Sequence, residues 1–250
     1  MEMLLACASE VRQDIHEGPG YSVAYGLTGA ELDQLRSAII RQYLNRLQAC
    51  CPDVAAAAEL HGIENYHLLS AGMDHSNLWP KAARILPADV VTILRSMRFF
   101  RALEREFGPV LISDNEINWR LVRPNAPDDI GPIHADRWFR ELGYGRMPPG
   151  YQRFKIWIAI ATEPGSNGLC VKPGSHMTNR WKYHTETRHG IPKPVIDEDV
   201  DALQLQLLHL GPGDIVMFHD SLLHGGVINR GSRCRVSAEF TLFYRREAGR

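Results

Sequence analysis

The sequence predicts an α+β fold with a mainly β core, a strand sandwich or barrel covered by N-terminal helices. Two observations carry that prediction. Apolar residues follow a helical period before about residue 108 and a period of two after it. Three of the later segments each have one apolar face and one wholly or partly polar face, as half-buried strands do. The 250 residues contain no internal repeat, low-complexity tract or linker, so a single domain is expected, with 1–108 as mainly helical support and 109–250 as the β core.

The elements follow in order. In 27–49, Thr28 and Glu31 form a T-x-x-E capping box, and Leu32, Leu35, Ile39, Ile40, Tyr43, Leu44 and Leu47 keep helical spacing. A short Ala-rich helix is expected over 53–61, stopped by Gly62. Another is expected over 87–107, ended by Gly108-Pro109. In 116–122, Glu116, Asn118 and Arg120 alternate with Ile117, Trp119 and Leu121. In 154–160, Lys155, Trp157 and Ala159 alternate with Phe154, Ile156, Ile158 and Ile160; in 235–244, Arg235, Ser237, Glu239 and Thr241 alternate with Val236, Ala238, Phe240, Leu242 and Tyr244. Shorter strands are expected at 168–172, 205–210 and 213–218, between Gly/Pro turns. If the polar faces turn inward, they line a polar cavity.

Composition narrows the function. Lys+Arg 28 against Asp+Glu 29 gives a formal charge of -1, which argues against a nucleic-acid binder. No apolar run approaches the roughly 18 residues of a membrane span. The start, MEMLLACASEVRQD, lacks the basic and apolar regions of a signal peptide. Five cysteines without a C-x-x-C pair read as reduced thiols, buried as small hydrophobes, in a cytoplasmic protein.

Two segments carry chemistry. His134-Ala135-Asp136 is the only H-x-D triplet; on an extended backbone its imidazole and carboxylate point to one side and can converge on one ion. Residues 211–240 then place His224 in a Gly-rich turn and Arg235 and Ser237 on the next strand. Two His and one carboxylate make the facial triad of non-haem Fe(II) oxygenases, with positions left open for a co-substrate and oxygen. A planar guanidinium beside a hydroxyl suits a buried carboxylate.

These residues resemble the Fe(II)/2-oxoglutarate-dependent oxygenases, and among them the phytanoyl-CoA dioxygenase-like branch. The resemblance spans roughly 110–245 and rests on HAD (134–136), NG and PGSH (167–168 and 173–176), PGD with an apolar run (212–218) and H…RVS (224 and 235–237). It implies a double-stranded β-helix (jelly roll) with N-terminal helices packed on one sheet. It implies Fe(II) on His134, Asp136 and His224, with O2 and 2-oxoglutarate as co-substrates. Arg235 is implied as partner of the distal carboxylate, supported by Ser237, with Trp157 and Asn118 beside the co-substrate. Gly226 stands where some relatives carry a hydroxyl residue, which shifts the anchoring onto Arg235 and Ser237. Related halogenases lack the carboxylate of Asp136, so hydroxylation or another C–H oxidation is expected, releasing succinate and CO2.

Lid insertions are expected near 137–153 and 177–204. His219 and the His184/Glu186 pair are rival ligands, read instead as a strand-end histidine and a lid segment, and His176 as a brace of the PGS turn. In 177–193, Arg180, Lys182, Arg188 and Lys193 against Glu186 read equally as a basic lid over an acidic substrate or as a solvated loop. Candidate substrate contacts are Glu116, Arg120, Trp138, Tyr151, Lys155 and Glu239; so charged a pocket suits a small polar metabolite better than an acyl chain. Three rivals fare worse. A nucleic-acid demethylase of this class has a second Arg where this chain has Thr241. A cupin-like metal-binding isomerase usually has a His-x-His pair, absent here, and a non-oxygenase small-molecule-binding protein explains neither the triad nor Arg235. The sequence leaves the oligomeric state open.

Overall fold

The computed structural model describes residues 8–113, 116–145, 147–178, 180–188 and 190–245. Cys7, expected to be buried, lies outside them. The helical half comprises α1 (Ala8–His16), β1 (Tyr21–Gly26), α2 (Gly29–Cys50), α3 (Pro52–His61), α4 (His75–Leu78), α5 (Ala88–Ser96) and α6 (Arg98–Phe107). The strand-rich half runs β2 (Val110–Ile112), β3 (Asn118–Val122), α7 (Asp136–Glu141), β4 (Tyr151–Ala161), β5 (Leu169–Val171), β6 (Tyr183–Arg188), β7 (Ile191–Ile196), β8 (Gln206–Leu207), β9 (Asp214–His219), β10 (His224–Gly226) and β11 (Arg235–Arg245). No helix among the described residues is long and apolar enough to cross a membrane.

The Thr28 capping box forms in full, with the Thr28 side chain accepting from the Glu31 amide and Glu31 accepting from the Thr28 amide. Gly62 ends α3 at φ 76°, a conformation that glycine adopts without a Cβ penalty. The expected 87–107 helix is two helices. Met97 breaks it with extended backbone (ψ 153°), and the freed amide of Arg98 donates to the Glu31 carboxylate at 2.6 Å. Both halves bury an apolar stripe, Val90, Val91 and Leu94 in α5 and Phe99, Phe100, Leu103 and Phe107 in α6, so periodicity did not reveal the break. The expectation that every cysteine is buried is also corrected. Cys170 and Cys234 are buried, whereas Cys50 is exposed and Cys51 half-buried at the α2–α3 junction.

The larger sheet has the order β1-β9-β4-β11-β2, with β3 also pairing β11; the smaller has the order β10-β5-β8. They stack as a jelly roll. On β4 and β11 the even-numbered side chains, among them Phe154, Ile156, Ile158, Phe240 and Leu242, join the helical core with Ile39, Tyr43, Phe100 and Leu103. On the opposite face Trp157, Ala159, Val216 and Phe218 meet Leu169 and Val171 of the smaller sheet. Each fully buried large side chain stabilises by about 1.5–3 kcal/mol. Helices on one face of the larger sheet leave its other face free to carry polar residues.

The β6–β7 hairpin lies within 177–204, the segment expected as a lid insertion. Pro192 and Pro194 had masked β7 as a strand. A two-stranded ribbon leaves alternate amides unpaired, so prolines two residues apart fit it. His224, expected in a turn, is the first residue of the short strand β10.

Candidate metal centre and cavity

His134 pairs with His224 as an isolated bridge, each amide donating to the other's carbonyl at 3.0 and 2.9 Å. This places the two imidazoles 4.5 Å apart between ring centroids. His134 Nδ1 lies 2.8 Å from the Pro132 carbonyl, and His224 Nδ1 lies 2.9 Å from the Leu222 carbonyl. A protonated Nδ1 donating to each carbonyl leaves both Nε2 atoms free to ligate. The chain then turns into α7 at Asp136, whose carboxylate oxygens lie 3.9 Å from His134 Nε2 and 3.8 Å from His224 Nε2. The three ligand atoms lie within 4.8 Å of one another.

Electrostatics prepare this set for a cation. Burial, then the neighbouring His224, push His134 down to about 3, so it is neutral at physiological pH. Burial alone raises Asp136, but Lys155 and the two imidazoles outweigh it and hold the carboxyl below its usual range. One buried Asp136 oxygen, Oδ2, has no hydrogen-bond partner. An ionised carboxylate with one buried oxygen free of hydrogen bonds, beside two imidazoles, is the donor set a divalent transition metal takes.

The centre opens into a cavity of about 380 Å³, lined also by Asn118, Arg120, Lys155, Trp157, Arg235 and Glu239. The polar strand faces therefore do turn inward. Arg235 is 3% exposed and donates from Nη1 to the Gly168 carbonyl at 2.7 Å. Its Nε, the Ser237 hydroxyl and the Asn118 carbonyl oxygen are buried without partners. Burial, then Arg120, lower Arg235 to about 10, which leaves it cationic at neutral pH. Its guanidinium lies 6.0 Å from the Trp157 ring. A Cβ on Gly226 would stand 3.4 Å from Ile130 and 3.7 Å from Arg235, ordinary contact distances, so this position directly adjoins the guanidinium. An anion reaching Arg235 and Ser237 would satisfy both orphaned donors, so these residues fit a bound carboxylate.

The short motifs hold this geometry. Asn167 bonds Asn229, which in turn donates to the Val122 and Arg233 carbonyls, and Gly168 receives Arg235. The Ser175 hydroxyl accepts from the Leu223 amide beside His224, and Asp214 closes the PGD turn by accepting from Gly211.

Not every candidate reaches the cavity. Glu116 lines its outer part, paired with Lys81 at 3.1 Å. Trp138 stacks on Tyr183 at 4.7 Å, among Ile133, Cys170 and Leu223 on the outer side of the smaller sheet, because α7 begins two residues earlier and turns it away. Tyr151, at the start of β4, accepts a hydrogen bond from Arg245 and does not line the cavity. Sequence reasoning missed Arg153, which donates to Asp220 at 2.6 Å and to the Asp136 carbonyl at 3.0 Å, steadying the backbone of Asp136. It sits two residues before Lys155, so extending the alternation backwards would have found it. Arg84 and Lys81 also reach the cavity from the helical half, where no pattern marked them.

The family model for phytanoyl-CoA dioxygenase matches residues 19–237. The chain belongs to the phytanoyl-CoA dioxygenase family. Its membership makes it an iron- and 2-oxoglutarate-dependent dioxygenase. No curated protein matches the chain. Among solved structures it is similar to EvdO2 from Micromonospora carbonacea var. aurantiaca, with 16% identity, TM-score 0.62, and coverage of 98% of this chain and 94% of that one. It is also similar to EctD from S. alaskensis with 2-oxoglutarate and 5-hydroxyectoine, with 17% identity, TM-score 0.56, and 97% and 77% coverage. AviO1 from Streptomyces viridochromogenes Tue57 shares 14% identity at TM-score 0.54, with 98% and 97% coverage. At such identities the likeness speaks for the jelly-roll fold, and within this family fold the triad and Arg235 lie at one cavity.

Proposed function

We propose that this dioxygenase hydroxylates a C–H bond of a small polar metabolite, with His134, Asp136 and His224 holding Fe(II) and Arg235 holding the distal carboxylate of 2-oxoglutarate. The observation that carries the reading is the set of orphaned buried polar atoms around one cavity: an Asp136 oxygen between two imidazoles, and Arg235 Nε with the Ser237 hydroxyl. Bound iron and 2-oxoglutarate supply the oxidative chemistry, consuming O2 and releasing succinate and CO2.

The chain's own residues do the positioning. The carbonyls of Pro132 and Leu222 hold the imidazoles in register, and Arg153 steadies the backbone of Asp136. Arg235 gives the co-substrate one orientation, with Ser237 and Asn118 as polar neighbours and Trp157 as an apolar wall. Lys155, 3.9 Å from Asp136, and the Arg120–Glu239 pair line the space left for substrate. The volume lies at the low end for ligand pockets, which suits a small molecule.

Metal-free protein titrated anaerobically with Fe(II) and 2-oxoglutarate tests the reading through the visible charge-transfer band of the chelate. Wild type should give the band; His134→Ala should lose it, and Arg235→Ala should need at least 10-fold more 2-oxoglutarate. No band at any concentration in folded wild type rejects the proposal.

A further inference from the structure

The charges of the cavity do not balance once their partners are assigned. Glu239 is taken by Arg120 at 2.9 Å, Glu116 by Lys81, and Asp129 by Arg123 at 2.9 Å. Arg153 is neutralised by Asp220. In the reading above, Asp136 serves the metal and Arg235 the co-substrate. Arg84, Lys155 and Lys193 remain; Lys155 lies 3.9 Å from Asp136, whereas Arg84 and Lys193 line the cavity with no carboxylate partner among the described residues.

Arg84 is held rather than neutralised. It donates to the carbonyls of Trp79 at 2.9 Å and Trp119 at 2.7 Å. Lys193 lies across the β6–β7 ribbon from Glu186, but that carboxylate is engaged by Arg188 at 3.0 Å and His184 at 3.4 Å. Burial, then Arg120, Arg84 and Arg188, push the Lys193 ammonium down, whereas Glu239 alone pulls it up. Cations gathered at a half-buried wall without compensation cost free energy in the empty protein, and an arriving anion offsets it. Ile191, two residues before Lys193, lines the same cavity, so the hairpin offers an apolar and a cationic side chain from one face.

We propose that the substrate carries an oxyanion, a carboxylate or phosphate, which Lys193 of the hairpin anchors together with Arg84. The inference rests on the oxygenase reading, since it assigns Arg235 and Asp136 to the co-substrate and the metal. It gives the hairpin a role in specificity: the anchored anion fixes which C–H of the substrate body faces the iron site.

The test measures binding of benzoate, phenyl phosphate and neutral benzamide to protein loaded anaerobically with Fe(II) and 2-oxoglutarate. At least one anion should bind 10-fold or more tightly than benzamide, and the tighter anion assigns carboxylate or phosphate. Lys193→Gln should lose at least 10-fold in affinity for that anion with benzamide unchanged, and Lys193→Arg should keep most of it. Equal binding of anions and benzamide, or anion binding indifferent to Lys193→Gln, overturns the anchor in protein whose chelate band forms normally. A missing band strikes the oxygenase reading instead, and the same titrations on metal-free protein then decide the anchor separately.

Discussion

The two faces of strands β4 and β11 are made from alternate residues of the same segments, yet they differ in nearly every physical respect. The face toward the helices is continuous hydrocarbon, Phe154, Ile156, Ile158, Phe240 and Leu242 closed against α2, α5 and α6. The face toward the smaller sheet begins apolar at Trp157 and Ala159, then carries Lys155, Glu239 and the buried Arg235 around a cavity. The strand side chains of the first face carry no unpartnered polar atom, and the core they close against leaves only a few atoms such as the Tyr43 hydroxyl without a partner. The second face holds buried charged and polar groups without partners around one cavity. Stability and ligand binding are thus divided across a sheet one strand thick, and a one-residue slip in register would exchange them.

The largest effects should fall cleanly on that division. Asp136→Ala is expected to reduce substrate-dependent 2-oxoglutarate consumption at least 10³-fold, about 4 kcal/mol of barrier. Its melting temperature without metal should fall only slightly, because the substitution removes both the desolvation cost of the carboxylate and its attraction to Lys155 and the imidazoles. Phe154→Ala, which empties a fully buried site packed on Phe107, should cost about 3–5 kcal/mol of stability. Its folded fraction should still form the chelate band. Denaturant titration beside turnover checks both, and a large stability loss in Asp136→Ala would break the division.

Glu239→Gln probes the same division where it is least sharp, at the Arg120 pair. Burial raises Glu239, but Arg120 and then Lys155 outweigh it and hold the carboxyl well below its usual range. Removing its charge leaves Arg120 facing Arg84 and Lys193 uncompensated. A loss of about 1–2 kcal/mol is expected, less than for a fully buried pair because solvent reaches both side chains. Tighter binding of anions by the same variant would sharpen the picture of a cavity tuned by charge; unchanged stability would show that this pair is only a liner of the site.

Much of this was legible in the sequence where one local rule decides the outcome. The Thr28 cap, the Gly62 stop and the alternation of β4 and β11 each depend on near neighbours, and each appears in the structure. What escaped depended on contacts distant in sequence. Met97 breaks a helix because Glu31, 67 residues from Arg98, receives the freed amide. Arg84 joins the cavity because the Trp79 and Trp119 carbonyls hold it there. Trp138 was displaced by the start of α7, which H-x-D spacing does not disclose. The inward turn of the polar faces depended on helices covering the opposite face, which only the order of helices before strands suggested.

The smallest expected effect tests whether half-buried polar side chains outside the cavity also act as scaffold. His219, at the end of β9, packs against His16 of α1 at 5.5 Å and His176 at 5.1 Å, joining the helical half to the PGSH turn. Burial, then the neighbouring imidazoles and Arg137 and Arg153, lower His219 to about 4 from the usual 6.5. A folded-state value below the unfolded one means that the unfolded chain binds more protons between the two. The stabilisation from neutral His219 is complete above about pH 6.5 and is lost as pH falls toward about 4. Wild type should lose on the order of 1–2 kcal/mol more than His219→Gln between pH 7 and pH 5. His134 titrates in the same direction, so the difference between the two proteins, measured without metal, isolates His219. If the two curves run parallel, His219 contributes no pH-dependent stability, and the acid lability of the fold belongs to its other buried histidines, His75 and His134 among them.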